Sequence, residues 1–314
     1  MASVLLTRRI PSSALALLES RHSVDLYSGD GGISRDELLR RVAGKEAIIC
    51  LLTDKIDAAV MDAAGALRIV ANVAVGFDNL DVAAARERRL IVTNTPDVLT
   101  ESVAEFTWAL ILGIARRVAE GDRLIRAGNW KGWALDFMLG MELRGKQLGI
   151  IGGGRIGRAV AAKAPAFGMR VVFSGREGSP PRSEPPTVSL DELLVTSDVI
   201  SIHAPATPDT KHLINKRTLA RMKRSAILVN TARGSAVDEE ALAWALDARL
   251  IAGAALDVYE REPEVHPALK DHQNVLLAPH LGSATRETRT AMAELAVRNV
   301  LAVLAGEAPL TPVR

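Results

Sequence analysis

The stretch Gln147-Leu148-Gly149-Ile150-Ile151-Gly152-Gly153-Gly154-Arg155-Ile156-Gly157 decides how this chain folds. Its first five residues form an aliphatic run of strand type, and Arg158–Phe167, directly after it, reads as a helix. Between them, glycines at 152, 154 and 157 have the spacing of a dinucleotide-binding turn. The first glycine permits the tight turn, the second admits a pyrophosphate to the backbone, and the third lets helix pack on strand. The helix N-terminus then offers unpaired N–H groups and a positive dipole end to phosphates. A glycine-rich turn alone is weak evidence; its place between a strand and a helix favours the nucleotide reading.

On both sides of this turn, short aliphatic or β-branched runs alternate with helical patterns. The expected strands are Val4–Thr7, Val24–Tyr27, Ala47–Leu52, Arg68–Ala71 and Ile91–Asn94 in a first series. Gln147–Ile151, Arg170–Phe173, Val199–Ile202, Ile227–Asn230, Gly253–Asp257 and Val275–Leu277 make a second. Strands alternating with helices mean βαβ units, parallel sheets and an α/β class. Ser102 to Ala127 reads as one long helix, with Val103, Phe106, Leu110, Ile114 and Val118 three or four positions apart. It separates the two series and puts a domain boundary near residue 100. Arg286–Leu304 is a final helix free to cross back, so the expected domains are 1–99 with 285–314, and 100–284. Low complexity is confined to Ser179–Pro186, read as a surface turn.

Composition narrows the function. At 314 residues the chain has room for two domains of ordinary size, roughly 100–200 residues each. It is 48% hydrophobic and 24% charged, which excludes a disordered tail or a small disulfide scaffold. Lys and Arg number 39 against 37 Asp and Glu, a net charge of +2 that favours neither nucleic acid nor a membrane surface as partner. The single cysteine, Cys50, lies in an apolar run and reads as a core residue in a reduced, cytoplasmic protein. No apolar run approaches the roughly 18 residues that span a bilayer. Thr7-Arg8-Arg9 reads as a loop between a strand and a helix opened by Pro11, rather than as a twin-arginine export signal.

The strand after the glycine turn ends Phe173-Ser174-Gly175-Arg176. An acid about 20 residues past the turn would bind the ribose 2′-hydroxyl of NAD. Ser174 or Gly175 occupies that place and Arg176 follows, a pattern suited to a 2′-phosphate and so to NADP, with NAD as the alternative. The competing reading makes Arg176 a solvated turn residue and gives Glu177 the acid's role.

Three further elements follow strands, where open α/β sheets bind ligands. They are Asn230-Thr231-Ala232-Arg233-Gly234, Leu256-Asp257-Val258-Tyr259-Glu260-Arg261-Glu262-Pro263, and Leu277-Ala278-Pro279-His280-Leu281-Gly282-Ser283. With Val75-Gly76-Phe77-Asp78-Asn79-Leu80-Asp81 and His203-Ala204-Pro205, they make the chain resemble the D-isomer-specific 2-hydroxyacid dehydrogenases over nearly its whole length. Within that family it looks most like the glyoxylate/hydroxypyruvate reductases. The resemblance implies two doubly wound parallel-sheet (Rossmann-like) domains around a cleft that closes on cofactor and substrate.

The same resemblance implies that Arg233, Glu262 and His280 are catalytic. His280 would give a proton to the carbonyl oxygen as hydride reaches carbon, and Glu262 would favour the imidazolium and fix its tautomer. Arg233 would steady the keto-acid carboxylate and polarise its carbonyl. Glu260, two positions before Glu262, is the residue most easily confused with it. The N–H groups of Val75 and Gly76 would receive the substrate carboxylate. Arg155 and Ile156 would line the pyrophosphate; Thr231, Ala232, Asp257 and Gly282 would lie on the nicotinamide side, with the His203–Pro205 loop beside them. For Asp257, a strand-end residue holding nearby backbone is the competing reading. His266 and His272 read as surface or capping residues, and no cluster has metal-ligand spacing.

Trp130–Gly140 would be the arm of a homodimer, with Trp133 entering the neighbour's site; an ordinary surface loop is the other reading. The implied reaction is reduction of glyoxylate or hydroxypyruvate to glycolate or D-glycerate. The rivals are D-3-phosphoglycerate dehydrogenase or another 2-keto-acid reductase and, in a different class, a dinucleotide-sensing corepressor.

Overall fold

Strands buried on both faces read as mostly apolar runs, and such runs, Ala47–Cys50 and Ile227–Asn230 among them, lie inside the two sheets of this protein. The computed structural model describes residues 1–174 and 185–313. It divides into two units, Met1–Leu99 with Ala284–Arg314, and Thr100–Ser283.

The first unit alternates β1 (Ser3–Leu6), α1 (Ser12–Glu19), β2 (Ser23–Leu26), α2 (Arg35–Val42), β3 (Ala47–Cys50), α3 (Ala58–Ala64), β4 (Ile69–Asn72), α4 (Val82–Glu87) and β5 (Ile91–Thr93). The strands form one parallel sheet in the order β2-β1-β3-β4-β5. β3 and β4 are buried throughout, and Cys50 at the end of β3 is a free, buried thiol. Ser34, Asp57 and Asp81 start α2, α3 and α4 by accepting the N–H of Glu37, Val60 and Ala84, which satisfies an otherwise unpaired donor in each first turn.

The second unit begins with α5 (Thr100–Ala115) and α6 (Val118–Arg126). It continues through β6 (Gln147–Ile151), α7 (Arg155–Lys163), β7 (Arg170–Ser174), β8 (Thr187–Val188), α8 (Leu190–Thr196), β9 (Val199–Ile202) and α9 (Lys216–Leu219). β10 (Ile227–Asn230), α10 (Glu239–Asp247), β11 (Gly253–Leu256), α11 (Pro267–Asp271) and β12 (Val275–Leu277) complete it. Its parallel sheet runs β12-β11-β10-β9-β6-β7-β8, so the strand order reverses between β6 and β9. Alternate residues of the central strands feed opposite layers. Leu228, Ala254 and Leu256 pack with Leu242 and Leu246 of α10, whereas Ile227, Val229 and Ala255 pack with Trp108 and Ile111 of α5 and Val160 of α7. α12 (Arg286–Leu304) returns to the first unit, where Arg68 donates to the carbonyl of Val303 at 2.8 Å. Among the described residues no helix is long and apolar enough to cross a membrane.

Two expectations about helices are corrected. The segment Ser102–Ala127 is not one helix. In an unbroken helix the carbonyl of Ala115 would accept from residue 119; here it accepts from the N–H of Met141 at 2.8 Å. Gly140 lies so close that an added Cβ would sit 2.4 Å from that oxygen. Arg117 then turns left-handed (φ 54°), is held by Glu120 at 2.7 Å, and restarts the chain as α6. The helix after the glycine turn also begins earlier than expected, at Arg155, and tightens into a 3₁₀ turn over Ala164–Phe167, where Pro165 has no N–H to continue the α ladder.

Candidate active site

The C-terminal ends of the strands of the seven-stranded sheet carry nearly every residue singled out in the second unit. At the end of β6, Gly152 has a φ of 103°, and its N–H donates to the carbonyl of Ser174 at 3.0 Å. An added Cβ there would stand 2.7 Å from the backbone of His203 and Ala204. One on Gly157 would meet the carbonyl of Gly152 at 2.2 Å. Both glycines are therefore demanded by internal packing. Gly154 differs. It has an ordinary φ of −73°, no side chain caps the helix it starts, and a Cβ there would meet nothing within 4 Å.

The open space at Gly154, beside the uncapped first turn of α7 with Arg155 and Ile156, fits a bound dinucleotide pyrophosphate. Gly154→Ala is therefore expected to leave stability unchanged and to raise the Kd for the nicotinamide dinucleotide roughly tenfold, or about 1.4 kcal/mol. Fluorescence titration with NADPH and NADH, alongside a melting curve, checks both halves.

Ser174 is buried at the end of β7, while Gly175, Arg176 and the rival Glu177 lie outside the described residues. The His203 backbone N–H donates to Ile151 at 2.7 Å, and its ring Nε2 pairs with the Ser201 hydroxyl at 2.8 Å. Burial pushes this imidazole down to about 3, so it stays neutral. The carbonyl of Pro205 accepts from the Thr210 hydroxyl at 2.7 Å.

The next three strand ends bring the proposed acid–base residues together. After β10, the Asn230 side chain accepts from Ala232 N at 3.0 Å and donates to the carbonyl of Arg233 at 2.9 Å, closing a tight turn. Thr231 shares a 2.9 Å hydroxyl contact with Thr107, whose own hydroxyl donates to Val103. Arg233 is half-buried, and its Nη1 donates to the carbonyl of Ala232 at 2.9 Å.

After β11, Asp257 is buried, and its two oxygens accept from Leu281 N at 2.6 Å and Gly282 N at 2.8 Å. Burial lifts the Asp257 carboxyl above its ordinary value, and the two N–H bonds only partly offset this. The backbone-holding reading of Asp257 is thus realised: its side chain and carbonyl grip His280, Leu281 and Gly282 in sequence.

His280 follows β12 with a φ of 55°, and its Nδ1 meets Glu262 Oε2 at 2.9 Å. Glu260 is directed elsewhere, to His212 at 2.5 Å. Burial pushes the Glu262 carboxyl up, but the His280 hydrogen bond, the Tyr259 N–H and the charge of Arg233 outweigh it, and the carboxyl lies below its ordinary 4.5. The contribution to stability from this depressed carboxyl is present above that ordinary value and is lost as the pH falls through the lower, folded value. With Nδ1 engaged by a carboxylate, Nε2 is the ring atom left to exchange a proton.

Three residues with no role assigned from sequence hold these loops together. Gly234 packs so tightly that a Cβ would lie 1.8 Å from the carbonyl carbon of Tyr259. The buried Tyr259 hydroxyl donates to the carbonyl of Ala278 at 2.8 Å, and burial pushes it up to about 12. Glu239, at the start of α10 and buried, accepts from Glu260 N at 2.8 Å and His266 N at 3.2 Å, anchoring the loop that carries Glu262. An acid in the first turn of a helix reads as ordinary dipole pairing, which is why its sequence context carries no signal.

In the first unit, Val75 and Gly76 lie half-buried in the loop after β4. In the second, the segment from residue 130 to 140 leaves Trp133 79% exposed and Leu135 83% exposed.

Known proteins resemble this chain over nearly its whole length. Residues 108–282 match the model of the NAD-binding domain of D-isomer-specific 2-hydroxyacid dehydrogenases. A glyoxylate reductase of Thermofilum pendens is 49% identical over 317 residues, covering 98% of this chain and 92% of that protein. A solved structure of a Thermus thermophilus protein superposes with a TM-score of 0.95 at 48% identity, covering 99% of this chain and all of that one (100%). An NADPH-dependent glyoxylate/hydroxypyruvate reductase of Sinorhizobium meliloti, solved with NADP and malonate, gives 0.88 at 34% identity, covering 99% and 96% of the two chains. The chain belongs to the D-isomer-specific 2-hydroxyacid dehydrogenase family.

Proposed function

We propose that this protein reduces glyoxylate or hydroxypyruvate to glycolate or D-glycerate with NADPH in preference to NADH. The observation that carries the reading is the Glu262–His280 pair, standing on the same sheet edge as the glycine turn and the Gly154 opening. The NADP preference is supported by Arg176 in the sequence and by the NADPH-dependent relative. The exposed apolar segment around Trp133 supports a homodimer, and the single buried thiol supports a reducing, cytoplasmic setting. In this reading the second unit binds the dinucleotide and the first receives the substrate carboxylate.

The hydride comes from the reduced nicotinamide when it is bound. The Arg233 guanidinium binds the keto-acid and polarises its carbonyl. As the carbonyl carbon gains the hydride and its electron pair, His280 Nε2 gives its proton to the oxygen, forming the hydroxyl. Glu262 holds the ring through Nδ1 and fixes its tautomer, and Asp257 keeps His280, Leu281 and Gly282 in register.

The direct test follows NADPH and NADH oxidation by absorbance with glyoxylate, hydroxypyruvate, pyruvate and phosphohydroxypyruvate. Fast NADPH oxidation with the first two is expected. No turnover with any pair overturns the reading. Glu262→Gln keeps a hydrogen-bonding oxygen beside the His280 ring and removes the carboxylate charge. kcat for keto-acid reduction is then expected to fall about 10²-fold at neutral pH. An unchanged kcat in that variant removes Glu262 from the mechanism.

A further inference from the structure

The loop after β4 arches over the ends of β4 and β5, and three successive carbonyls in it are held by donors from those strand ends. Thr95 N donates to the carbonyl of Ala74 at 2.8 Å, the Asn94 side-chain amide to that of Val75 at 2.8 Å, and the Asn72 side-chain amide to that of Gly76 at 2.9 Å. In a trans peptide the C=O and the following N–H point in opposite directions. Turning these three carbonyls toward the sheet therefore turns the N–H groups of Val75, Gly76 and Phe77 away from it. A row of such N–H groups is an anion-binding surface made without any cationic side chain.

The amides are themselves braced. Asn72 is fully buried, exchanges amide hydrogen bonds with Asn79, and accepts from the Cys50 thiol. Asn79 also donates to the carbonyls of Leu51 and Asp54, tying the loop after β3 to the same frame. Asn94 is half-buried and is bonded through its own backbone to Thr311.

We propose that Asn94 and Asn72 are positioning residues that set a backbone anion site at Val75–Phe77 for the carboxylate of a small keto or hydroxy acid. This rests on the reading of the protein as a keto-acid reductase. Neither amide touches the substrate; each acts by fixing the peptide whose N–H does. Asn72 lies too deep to change safely, so the test is carried by Asn94. Asn94→Ala removes the donor, and Asn94→Asp keeps the shape, removes the donor and adds a negative charge behind the site.

Both variants are compared with the wild type as full-length protein, by steady-state reduction of glyoxylate and by calorimetric titration with oxalate, a non-reducible carboxylate. The expected result is a KM for glyoxylate raised roughly tenfold in Asn94→Ala and more in Asn94→Asp, with kcat within about threefold and the coenzyme KM unchanged. Oxalate affinity falls in the same order. An unchanged glyoxylate KM and oxalate affinity, or a loss confined to kcat, overturns the proposal. If the wild type fails to reduce any keto-acid, the functional reading fails by itself. Oxalate then still decides the anion site: tight binding weakened in both variants supports it, and no binding to the wild type overturns it.

Discussion

Replacing His280 with asparagine is expected to lower kcat for keto-acid reduction by roughly 10²–10⁴-fold, the share general acid catalysis commonly supplies. Asparagine is the informative choice because His280 has a φ of 55°. Apart from glycine, asparagine is among the residues that adopt that left-handed conformation with least strain. The backbone grip from Asp257, whose carbonyl accepts His280 N at 2.9 Å, therefore survives while the ring is lost. Coenzyme affinity and the melting temperature should stay near those of the wild type, since the cradle at Gly152–Gly157 lies on another strand end. Near-normal turnover in this variant would mean that another group supplies the proton. A matched loss of stability would mean that the ring acts as packing.

Gly234→Ala is expected to be the most damaging single-methyl change in the second unit. The added Cβ would lie 1.8 Å and 1.9 Å from the carbonyl carbon and oxygen of Tyr259, and 2.4 Å from Glu260 N. All three are backbone atoms, so no rotamer change relieves the overlap, and the loops after β10 and β11 must separate. That movement pulls on the Tyr259 hydroxyl bond to Ala278 and on the segment carrying Glu262. A loss of at least about 3 kcal/mol is expected from such overpacking, read as a lower urea midpoint. Gly154→Ala, with nothing to meet, is the internal control. Equal urea midpoints for Gly234→Ala and the wild type would show that the two loops are not packed this closely in solution.

How much of this was legible in the chain follows from the range of each interaction. Val199–Ile202 and Ile227–Asn230 read directly as strands because a strand buried throughout is mostly aliphatic. β8 was not read, since a two-residue strand held beside β7 carries no periodicity of its own. The break after Ala115 was invisible for a different reason: the donor that ends α5 there comes from Met141. Nothing in the helix's own pattern of apolar residues announces that bond.

The site divides in the same way. Glycines at 152, 154 and 157 could be assigned from spacing, but only the folded backbone separates two that are packed from the one that faces open space. Glu260 and Glu262 are the same residue type two positions apart, and residue type alone does not rank them. Their partners, His212 and His280, are separated from them by 48 and 18 positions. Local pattern sufficed for the α/β class, the place of the glycine turn and the residue types at each strand end, because periodicity and backbone freedom act over a few residues. Which carboxylate meets His280, what Asp257 and Glu239 hold, and which way the Val75–Phe77 peptides face were settled by the folded chain. Those outcomes are hydrogen bonds between segments distant in sequence, and they exist only once the sheets have brought those segments together.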